Sequence, residues 1–212
     1  MRLRKIAGAD EAISAHPRCF DAAAAADGKW RTPAVRGMPL CIEIGMGKGR
    51  FITTLAAQNP QKLYIGIERY TSVLYRALQK YDSDPLANLL FFCADAKCLD
   101  EVFRPGEVGR IYLNFSDPWP KERHAKRRLT SQAFLQVYAR ILKPGGQLEF
   151  KTDNQELFTY SIEQAQDAGW RVDAATRDLH HDPVLCAGNI MTEYEERFSA
   201  QGNPICKMIL SR

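Results

Sequence analysis

The sequence has no apolar run long enough to cross a bilayer, and Met1–Lys5 does not begin a charged-then-apolar secretory leader. Its six cysteines form no Cys-x-x-Cys pair and lie near no histidine cluster with the spacing of zinc ligands. No long low-complexity segment interrupts the chain. These absences argue against a membrane protein and a zinc protein, and they predict a cytoplasmic chain with reduced cysteines and no metal.

The composition fits one globular domain. The 212 residues are 45% hydrophobic and 25% charged, which is sufficient for a substantial core. We therefore expect a single domain over residues 1–212, with residues 1–39 as an N-terminal extension. Within that extension, the alanine run Ala22–Ala26 predicts a helix, because alanine is the best helix former.

Short apolar runs alternate with amphipathic stretches along most of the chain. Predicted helices lie at Gly49–Gln58, Thr71–Tyr81 and Ser131–Leu142, and predicted strands at Leu40–Ile44, Leu63–Ile67, Leu89–Cys93, Ile111–Phe115, Gln147–Phe150 and Ile205–Leu210. Apolar strands that alternate with helices indicate a parallel sheet covered on both faces. The pattern predicts a doubly wound α/β fold, to which the last strand would add antiparallel pairing.

A glycine-rich turn follows the first predicted strand, in the stretch "CIEIGMGKGRFI". Gly45, Gly47 and Gly49 at a strand-to-helix junction allow a ligand to approach the backbone and the helix N-terminus closely. The spacing differs from the dinucleotide fingerprint, and Glu43 just before it would repel a pyrophosphate. A cationic ligand would be favoured by that carboxylate.

Acidic residues also follow the next three predicted strands. Glu68 stands nineteen residues after Gly49, where a carboxylate can accept from two ribose hydroxyls. Asp95 could accept from an exocyclic amine, and Asp117 follows the fourth strand. Any one of them could be a helix cap or a solvated loop residue. Together they predict a nucleoside ligand without phosphates, for which S-adenosylmethionine is the obvious candidate.

The stretch "SDPWPKERHAKRRL" places a carboxylate between a strand-like run and two prolines, and a basic run follows directly. The prolines make the backbone around Asp117 stiff. Residues 121–128 carry five basic residues against one acidic residue, so their net charge equals the +4 of the whole chain. Such a concentrated charge predicts contact with a nucleic-acid backbone, although a solvated helix start is the ordinary alternative. Trp119 either stacks on a base or packs in the core.

The chain resembles the bacterial tRNA (guanine-N7-)-methyltransferase family, often called TrmB. The residues that carry the resemblance span about 40 to 205 and are "EIGMGKGRFI", "YIGIERY", "LNFSDPWPKERHAKRRLT", "KTDN", "LFTYS" and "TEYEERFSAQGNPI". The Asp-Pro-Trp-Pro-Lys block combined with the Thr-x-Tyr-Glu block is highly specific. The segment "KIAGADEAISAHPRCF" after the opening four residues departs from the family pattern.

The resemblance implies a Rossmann-like class I methyltransferase with a mostly parallel seven-stranded sheet, helices on both faces and an antiparallel C-terminal strand. It implies S-adenosylmethionine contacts from Glu43, Glu68, Asp95 and Asp117. It implies methyl transfer to the variable-loop guanine of tRNA, in a chain that needs no protein partner and is plausibly a homodimer. The implied tRNA contacts are Lys121, Asp153, the Thr192–Glu195 segment (Thr192, Glu193, Tyr194 and Glu195), and Arg123, Lys126, Arg127 and Arg128 of the basic run.

The chemistry limits what these residues need to do. Guanine N7 presents a lone pair, so no proton must be removed before attack, and alignment with the methyl group is the main requirement. Asp117 is predicted to position the base and stabilise its developing positive charge, with proton abstraction as the minor alternative. Glu195 could accept from the guanine N1–H and exocyclic amine, while a polar loop residue is the structural alternative. Asp153 and Asn154 could equally cap the next helix.

Two other classes share parts of this pattern. A nucleotide-dependent oxidoreductase would share the fold, but the glycine spacing and Glu43 argue against it. A non-enzymatic RNA-binding module would explain the basic run and leave the ordered acids without a purpose. A methyltransferase that acts on the exocyclic amine of a base is a nearer alternative, because its loop also places an acid or Asn before a proline and an aromatic residue.

Overall fold

The computed structural model describes residues 6–212, and the predicted absence of a leader at Met1–Lys5 concerns residues outside this range. The chain divides into two compact units, of which the first ends at Arg104 and the second begins at Pro105. Within residues 6–212, no helix combines the length and apolar character that a membrane span requires. All six cysteines are free thiols.

The first unit contains four parallel strands, β1 to β4, in the spatial order β1-β4-β3-β2. The strands are β1 (Cys19–Asp21), β2 (Leu40–Ile44), β3 (Leu63–Glu68) and β4 (Leu89–Cys93). Every residue of β2 and β3 is buried, as expected for strands covered on both faces. Glu43 pairs in register with Gly66, and Glu68 pairs with Cys93, so the carboxyl ends of these strands lie at one edge.

Between residue 6 and Arg104, five α-helices accompany that sheet: α1 (Ala9–Ala15), α2 (Ala22–Ala26), α3 (Arg50–Gln58), α4 (Thr71–Tyr81) and α5 (Leu99–Val102). The predicted alanine helix is present as α2, and the Asp21 carboxylate caps it by accepting from the Ala24 N–H. In α4, the buried positions Leu74, Ala77, Leu78 and Tyr81 recur at helical spacing. That spacing places one apolar stripe of the helix in the core.

The second unit contains a mixed sheet in the order β5-β6-β8-β7. Its strands are β5 (Val108–Asn114), β6 (Leu142–Thr152), β7 (Arg171–Thr176) and β8 (Cys206–Ser211). The β5 and β6 strands are parallel, whereas β8 runs antiparallel to both β6 and β7. The predicted antiparallel C-terminal strand is therefore confirmed.

Three α-helices belong to the second unit: α6 (Gln132–Ile141), α7 (Gln155–Asp167) and α8 (Glu193–Ser199). Ser131 occupies the N-cap position of α6. The Asn154 side chain caps α7 by accepting from the Leu157 N–H at 2.7 Å, which is the capping alternative foreseen from the sequence. Because β5 precedes α6 and β6 precedes α7 in the chain, the segments before these two helices begin at the carboxyl ends of β5 and β6.

The secondary structure differs from the sequence expectation at several elements; β6, for example, begins at Leu142, whereas the predicted strand begins at Gln147. Residues 6–212 contain eight strands, whereas the resemblance implied seven and the apolar runs predicted six. The two strands without a predicted run are β1 and β7, which give no apolar run that can be read from sequence. The β1 strand has only three residues, and the residues of β7 alternate between exposed and half-buried. The structural alternative for Thr192 and Glu195, polar residues in a loop, does not hold, because Thr192 is the N-cap of α8 and Glu195 lies inside that helix.

Candidate active site

The glycine-rich turn in the first unit connects β2 to α3. Gly45, Gly47 and Gly49 have φ values of 74°, 59° and 79°, which is the left-handed region that glycine tolerates best. A Cβ atom added at Gly45 or Gly47 would meet no atom within 4 Å, so the space beside the turn is open. The turn thus presents backbone and the start of a nine-residue helix to a ligand.

Glu68 joins the end of β3 to this turn. One carboxylate oxygen accepts from the Tyr70 N–H at 3.0 Å, and the other accepts from the Gly47 N–H at 3.2 Å. The side chain is buried, and burial raises the pKa of the Glu68 carboxyl above its ordinary value, although the backbone N–H groups oppose the shift. Glu68 is therefore held rigidly at the open side of the turn.

Glu43 lies on β2 and Asp95 just beyond β4, the two strands on either side of β3. Glu43 is buried in β2. Asp95 lies two residues after the end of β4 and is partly exposed. Its carboxylate accepts from the Lys97 N–H at 3.0 Å and lies 3.8 Å from the Arg69 guanidinium. Since β2, β3 and β4 are parallel and adjacent, the first unit brings all three predicted acids to one edge. This set fits a ligand with hydroxyl, amine and cationic groups.

Asp117 lies in the second unit, in the segment that follows β5. Asp117 is exposed, and the backbone near it is unusual because Phe115 and Trp119 have positive φ values of 53° and 43°. Such conformations are unfavourable for non-glycine residues and persist only where the surroundings enforce them. The segment 115–119, here called the Asp117 segment, therefore has a backbone conformation that its surroundings enforce.

Arg128 provides much of that enforcement. Its guanidinium donates from Nε to the Pro118 carbonyl at 3.0 Å and from Nη2 to the Trp119 carbonyl at 3.1 Å. The same group lies 4.3 Å from the centre of the Tyr160 ring. A half-buried arginine with these partners binds the Asp117 segment, whereas the sequence predicted that Arg128 contacts RNA.

The rest of the basic run is available to solvent. A 3₁₀-helix spans Glu122–Arg127, and Lys121 is its N-cap residue. Lys121, Arg123, Lys126 and Arg127 are all exposed. Trp119 is half-buried instead of lying in the core, and its ring is flanked by Arg127 at 5.0 Å and His124 at 5.7 Å. The four exposed cations form a surface suited to phosphate groups.

Asp153 and Tyr194 form a second polar pair in this unit. The Tyr194 hydroxyl donates to the Asp153 carboxylate at 3.0 Å. Burial, together with the Asp153 charge, raises the pKa of Tyr194 to about 12. The Tyr194 ring stacks on Phe198 and lies 4.9 Å from the ring of Phe115, at the base of the Asp117 segment. The pair therefore lies beside that segment, with Tyr194 still 41% exposed.

Glu195 occupies a different environment from the one its predicted role needs. Its side chain is completely buried, and its carboxylate pairs with the Lys151 ammonium at 2.6 Å. It also accepts from the Asn189 amide at 2.7 Å and lies 3.2 Å from His180 Nε2. In this conformation Glu195 offers no surface to a guanine edge.

The two neighbouring residues of the block also have defined positions. Thr192 accepts from the Glu195 N–H at 2.9 Å and so caps α8. Glu193 is half-buried in the first turn of that helix, where a negative charge is favourable. The Thr-x-x-Glu spacing is that of a capping box, which is the sequence signal that predicts this helix start.

Solved structures with a similar fold are methyltransferases. A 16S rRNA methyltransferase, KamB, superimposes with a TM-score of 0.64 at 16% identity, over 86% of this chain and 92% of that chain. An antibiotic-related methyltransferase superimposes with a TM-score of 0.60 at 22% identity, over 82% and 87%. With the glycine turn and its acids, this fold is that of a class I S-adenosylmethionine-dependent methyltransferase.

Sequence relatives identify the family within that class. A family model described as "Putative methyltransferase" matches residues 37–208. The tRNA (guanine-N(7)-)-methyltransferase of Lachnoclostridium phytofermentans is 51% identical over 212 residues, 100% of this chain and 99% of the relative. The protein of the same name from Staphylococcus aureus is 47% identical over 208 residues, 98% and 96%. The chain belongs to the tRNA (guanine-N(7)-)-methyltransferase family.

Three residues of the second unit were given no role from the sequence: Lys151, His180 and Asn189. Lys151 stands in the "KTDN" motif, and the spacing of residues around it does not show whether this lysine is buried or exposed. His180 and Asn189 lie in a region that reads as a polar loop. Only the capping-box spacing at Thr192 gave a signal that this region is ordered.

Proposed function

We propose that this chain transfers a methyl group from S-adenosylmethionine to N7 of a guanine in the variable loop of tRNA. The observation that carries the proposal is 51% identity over the whole chain to a tRNA (guanine-N(7)-)-methyltransferase. The glycine turn with three converging acids supports the cofactor, and the exposed cations of the basic run support an RNA substrate.

The first unit would hold the cofactor. Glu68 would accept from the ribose hydroxyls, Asp95 from the exocyclic amine, and Glu43 would favour the positive charge of the ligand. When bound, S-adenosylmethionine supplies an electrophilic methyl group on a sulfonium. The contact predicted for Asp117 with the cofactor is part of the same proposal.

The second unit would orient the target guanine of the tRNA. Guanine N7 needs no proton abstraction, so the work of the protein is orientation and charge stabilisation. The Asp117 carboxylate, held by the strained backbone at Phe115 and Trp119, would stabilise the positive charge that develops on the methylated purine. Fixed orientation makes this effect available without reorganisation during transfer.

The tRNA would be bound by two groups of side chains. Lys121, Arg123, Lys126 and Arg127 would contact phosphates, and the Asp153–Tyr194 pair would contact the target nucleotide. Arg128 and Glu195 would act indirectly, by holding other parts of the site rather than by contacting the tRNA, because both are already bonded within the protein. Thr192 and Glu193 would hold the start of α8, which carries Tyr194.

The family model runs through both units, which supports a single methyltransferase domain as the working part of the chain. The homodimer, the independence from a protein partner and the cytoplasmic location stay predictions. Sedimentation of the purified chain, followed by an activity assay of the same sample, tests the first two.

Labelled S-adenosylmethionine and two unmodified tRNA transcripts test the function. One transcript has the natural variable-loop guanine, and the other has 7-deazaguanosine there, which replaces N7 by a carbon. We expect label in the first transcript and none in the second. Equal label in both would show methylation at another atom or position, including an exocyclic amine. No label in either would favour a binding module without enzymatic activity.

A further inference from the structure

Lys151 is a buried cation that the proposed chemistry does not use. Its side chain has 0% exposure, within strand β6. The ammonium donates to Glu195 Oε2 at 2.6 Å, to Asn189 Oδ1 at 3.1 Å and to the Ile190 carbonyl at 3.0 Å. An ammonium has three N–H donors, and these three acceptors all belong to the 189–195 segment.

Glu195 contacts a second residue of the same segment, Asn189, and also His180 in a neighbouring loop. Its second carboxylate oxygen accepts from Asn189 Nδ2 and faces His180 Nε2. Burial lowers the pKa of the Lys151 ammonium, and the Glu195 charge opposes that shift. Because the desolvation of two charges offsets most of their attraction, such a pair is weak evidence for a role in stability alone.

The 189–195 segment carries residues of the proposed substrate surface. Thr192 caps α8, and Tyr194 reaches Asp153 from the same helix. Lys151 also acts through its backbone, because its carbonyl accepts from the Phe115 N–H at 2.9 Å. Phe115 is the first residue of the Asp117 segment and one of its two residues with positive φ. One residue therefore contacts both segments through two different groups.

We propose that Lys151 is a positioning residue for the tRNA substrate: its ammonium fixes the 189–195 segment in the conformation that receives the target nucleotide. It acts through Glu195 and Ile190, not by touching the base. The inference rests on the proposed function and adds a residue to its substrate site. The backbone contact to Phe115 links the same strand position to the Asp117 segment.

A double variant tests this proposal. Lys151→Met alone would leave the Glu195 carboxylate buried without its cation and could prevent folding. Lys151→Met combined with Glu195→Gln removes both charges and retains the approximate shape. The matched control is Lys207→Met combined with Glu149→Gln. That pair is nearly as buried, at 8% and 11% exposure, and Lys207 pairs in register with Lys151, so the control also removes charge beside Lys151. It leaves the contacts to the 189–195 segment in place, because the Lys207 ammonium donates to Leu185.

The assay measures kcat and KM for tRNA, together with amide hydrogen exchange of residues 189–195. For the Lys151 double variant, we expect the KM for tRNA to rise at least about tenfold, with kcat changed much less. Exchange in the 189–195 segment should accelerate, while cofactor affinity stays within roughly twofold of wild type. The control pair should leave both the KM and this exchange near their wild-type values.

An unchanged KM, or an equal change in the control, would overturn the inference. If wild-type protein fails to methylate tRNA, the proposed function fails, and hydrogen exchange alone then decides the positioning role. Unchanged exchange at 189–195 in the Lys151 double variant overturns it, whereas faster exchange confined to that segment sustains it.

Discussion

Arg128 and Arg127 are adjacent and equally basic, yet the structure predicts different consequences when each is replaced by lysine. Arg128 donates two hydrogen bonds to the carbonyls of Pro118 and Trp119 and packs on Tyr160. A lysine keeps the charge but cannot reproduce two parallel donations from a planar group. Arg127 is exposed, so Arg127→Lys keeps most of what a phosphate contact needs.

The magnitude follows from these contacts. A hydrogen bond from a charged donor contributes about 1.5–3 kcal/mol, so two contribute about 3–6 kcal/mol, with the lower end apt for a half-buried group. Each residue with strained backbone costs of order 1–3 kcal/mol, so loss of the arginine lets the Asp117 segment relax. A misplacement of about 1 Å at the reacting centre can cost on the order of a hundredfold in rate.

Steady-state kinetics with unmodified tRNA separates the two variants. Arg128→Lys should lower kcat by roughly a hundredfold, equivalent to about 2.7 kcal/mol in the barrier, with a smaller change in KM. Arg127→Lys should change kcat little and raise KM by less than about threefold. If both variants raise KM equally and leave kcat intact, Arg128 acts as an RNA contact and its hydrogen bonds to Pro118 and Trp119 do not control the Asp117 segment.

Three further predictions concern other parts of the site. Lys126→Glu combined with Arg127→Glu should weaken tRNA binding and leave cofactor affinity unchanged. The slope of log K against log salt concentration should fall by about 0.7–0.9 for each lost phosphate contact, which filter binding across a salt series measures. An unchanged slope would show that neither residue contacts the RNA. Because the pKa of Tyr194 in the folded protein is about 12, its neutral hydroxyl contributes fully to folding stability below about pH 10. This contribution to stability is lost as pH rises toward 12. Asp153→Asn should lower that midpoint in an ultraviolet titration taken as a difference from Tyr194→Phe, and an unmoved midpoint would deny the contact. Burial raises the pKa of Glu68 in the folded protein, so wild type should lose stability as pH rises from the ordinary glutamate range through that folded value. Glu68→Gln should abolish this loss and weaken cofactor binding by about tenfold. The same pH dependence of Tm in both proteins would contradict the prediction.

Much of the first unit could be predicted from the sequence, because its signals are local. The bounds of β2, β4 and α4 agree with the predicted runs, since buried parallel strands and an amphipathic helix have distinct periodicities. Glu43, Glu68 and Asp95 were located through strand ends alone, and parallel pairing then brings them to one edge. The glycine-rich turn could be predicted from its three glycines, because glycine is the residue that best tolerates the positive φ values of such a turn.

The second unit shows where local reading fails. Arg128 and Arg127 look identical in sequence, and only the fold decides which one meets the Pro118 and Trp119 carbonyls. Glu195 looks like an available carboxylate until Lys151, forty-four positions earlier, is found beside it. Such long-range pairings depend on strand order and side-chain direction, which spacing along the chain does not encode. The capping-box spacing at Thr192 was present in the sequence and identifies the start of α8.

The central claim is N7 methylation of one guanine in the tRNA variable loop, and chemical mapping tests it most directly. Purified protein is incubated with S-adenosylmethionine and an unmodified tRNA transcript, and the product is treated with borohydride and then aniline, which cleaves at 7-methylguanosine. Cleavage at the variable-loop guanine alone is the expected result, and it should disappear when Asp117 is replaced by alanine. Methyl incorporation without cleavage, or cleavage at another guanine, would contradict the account.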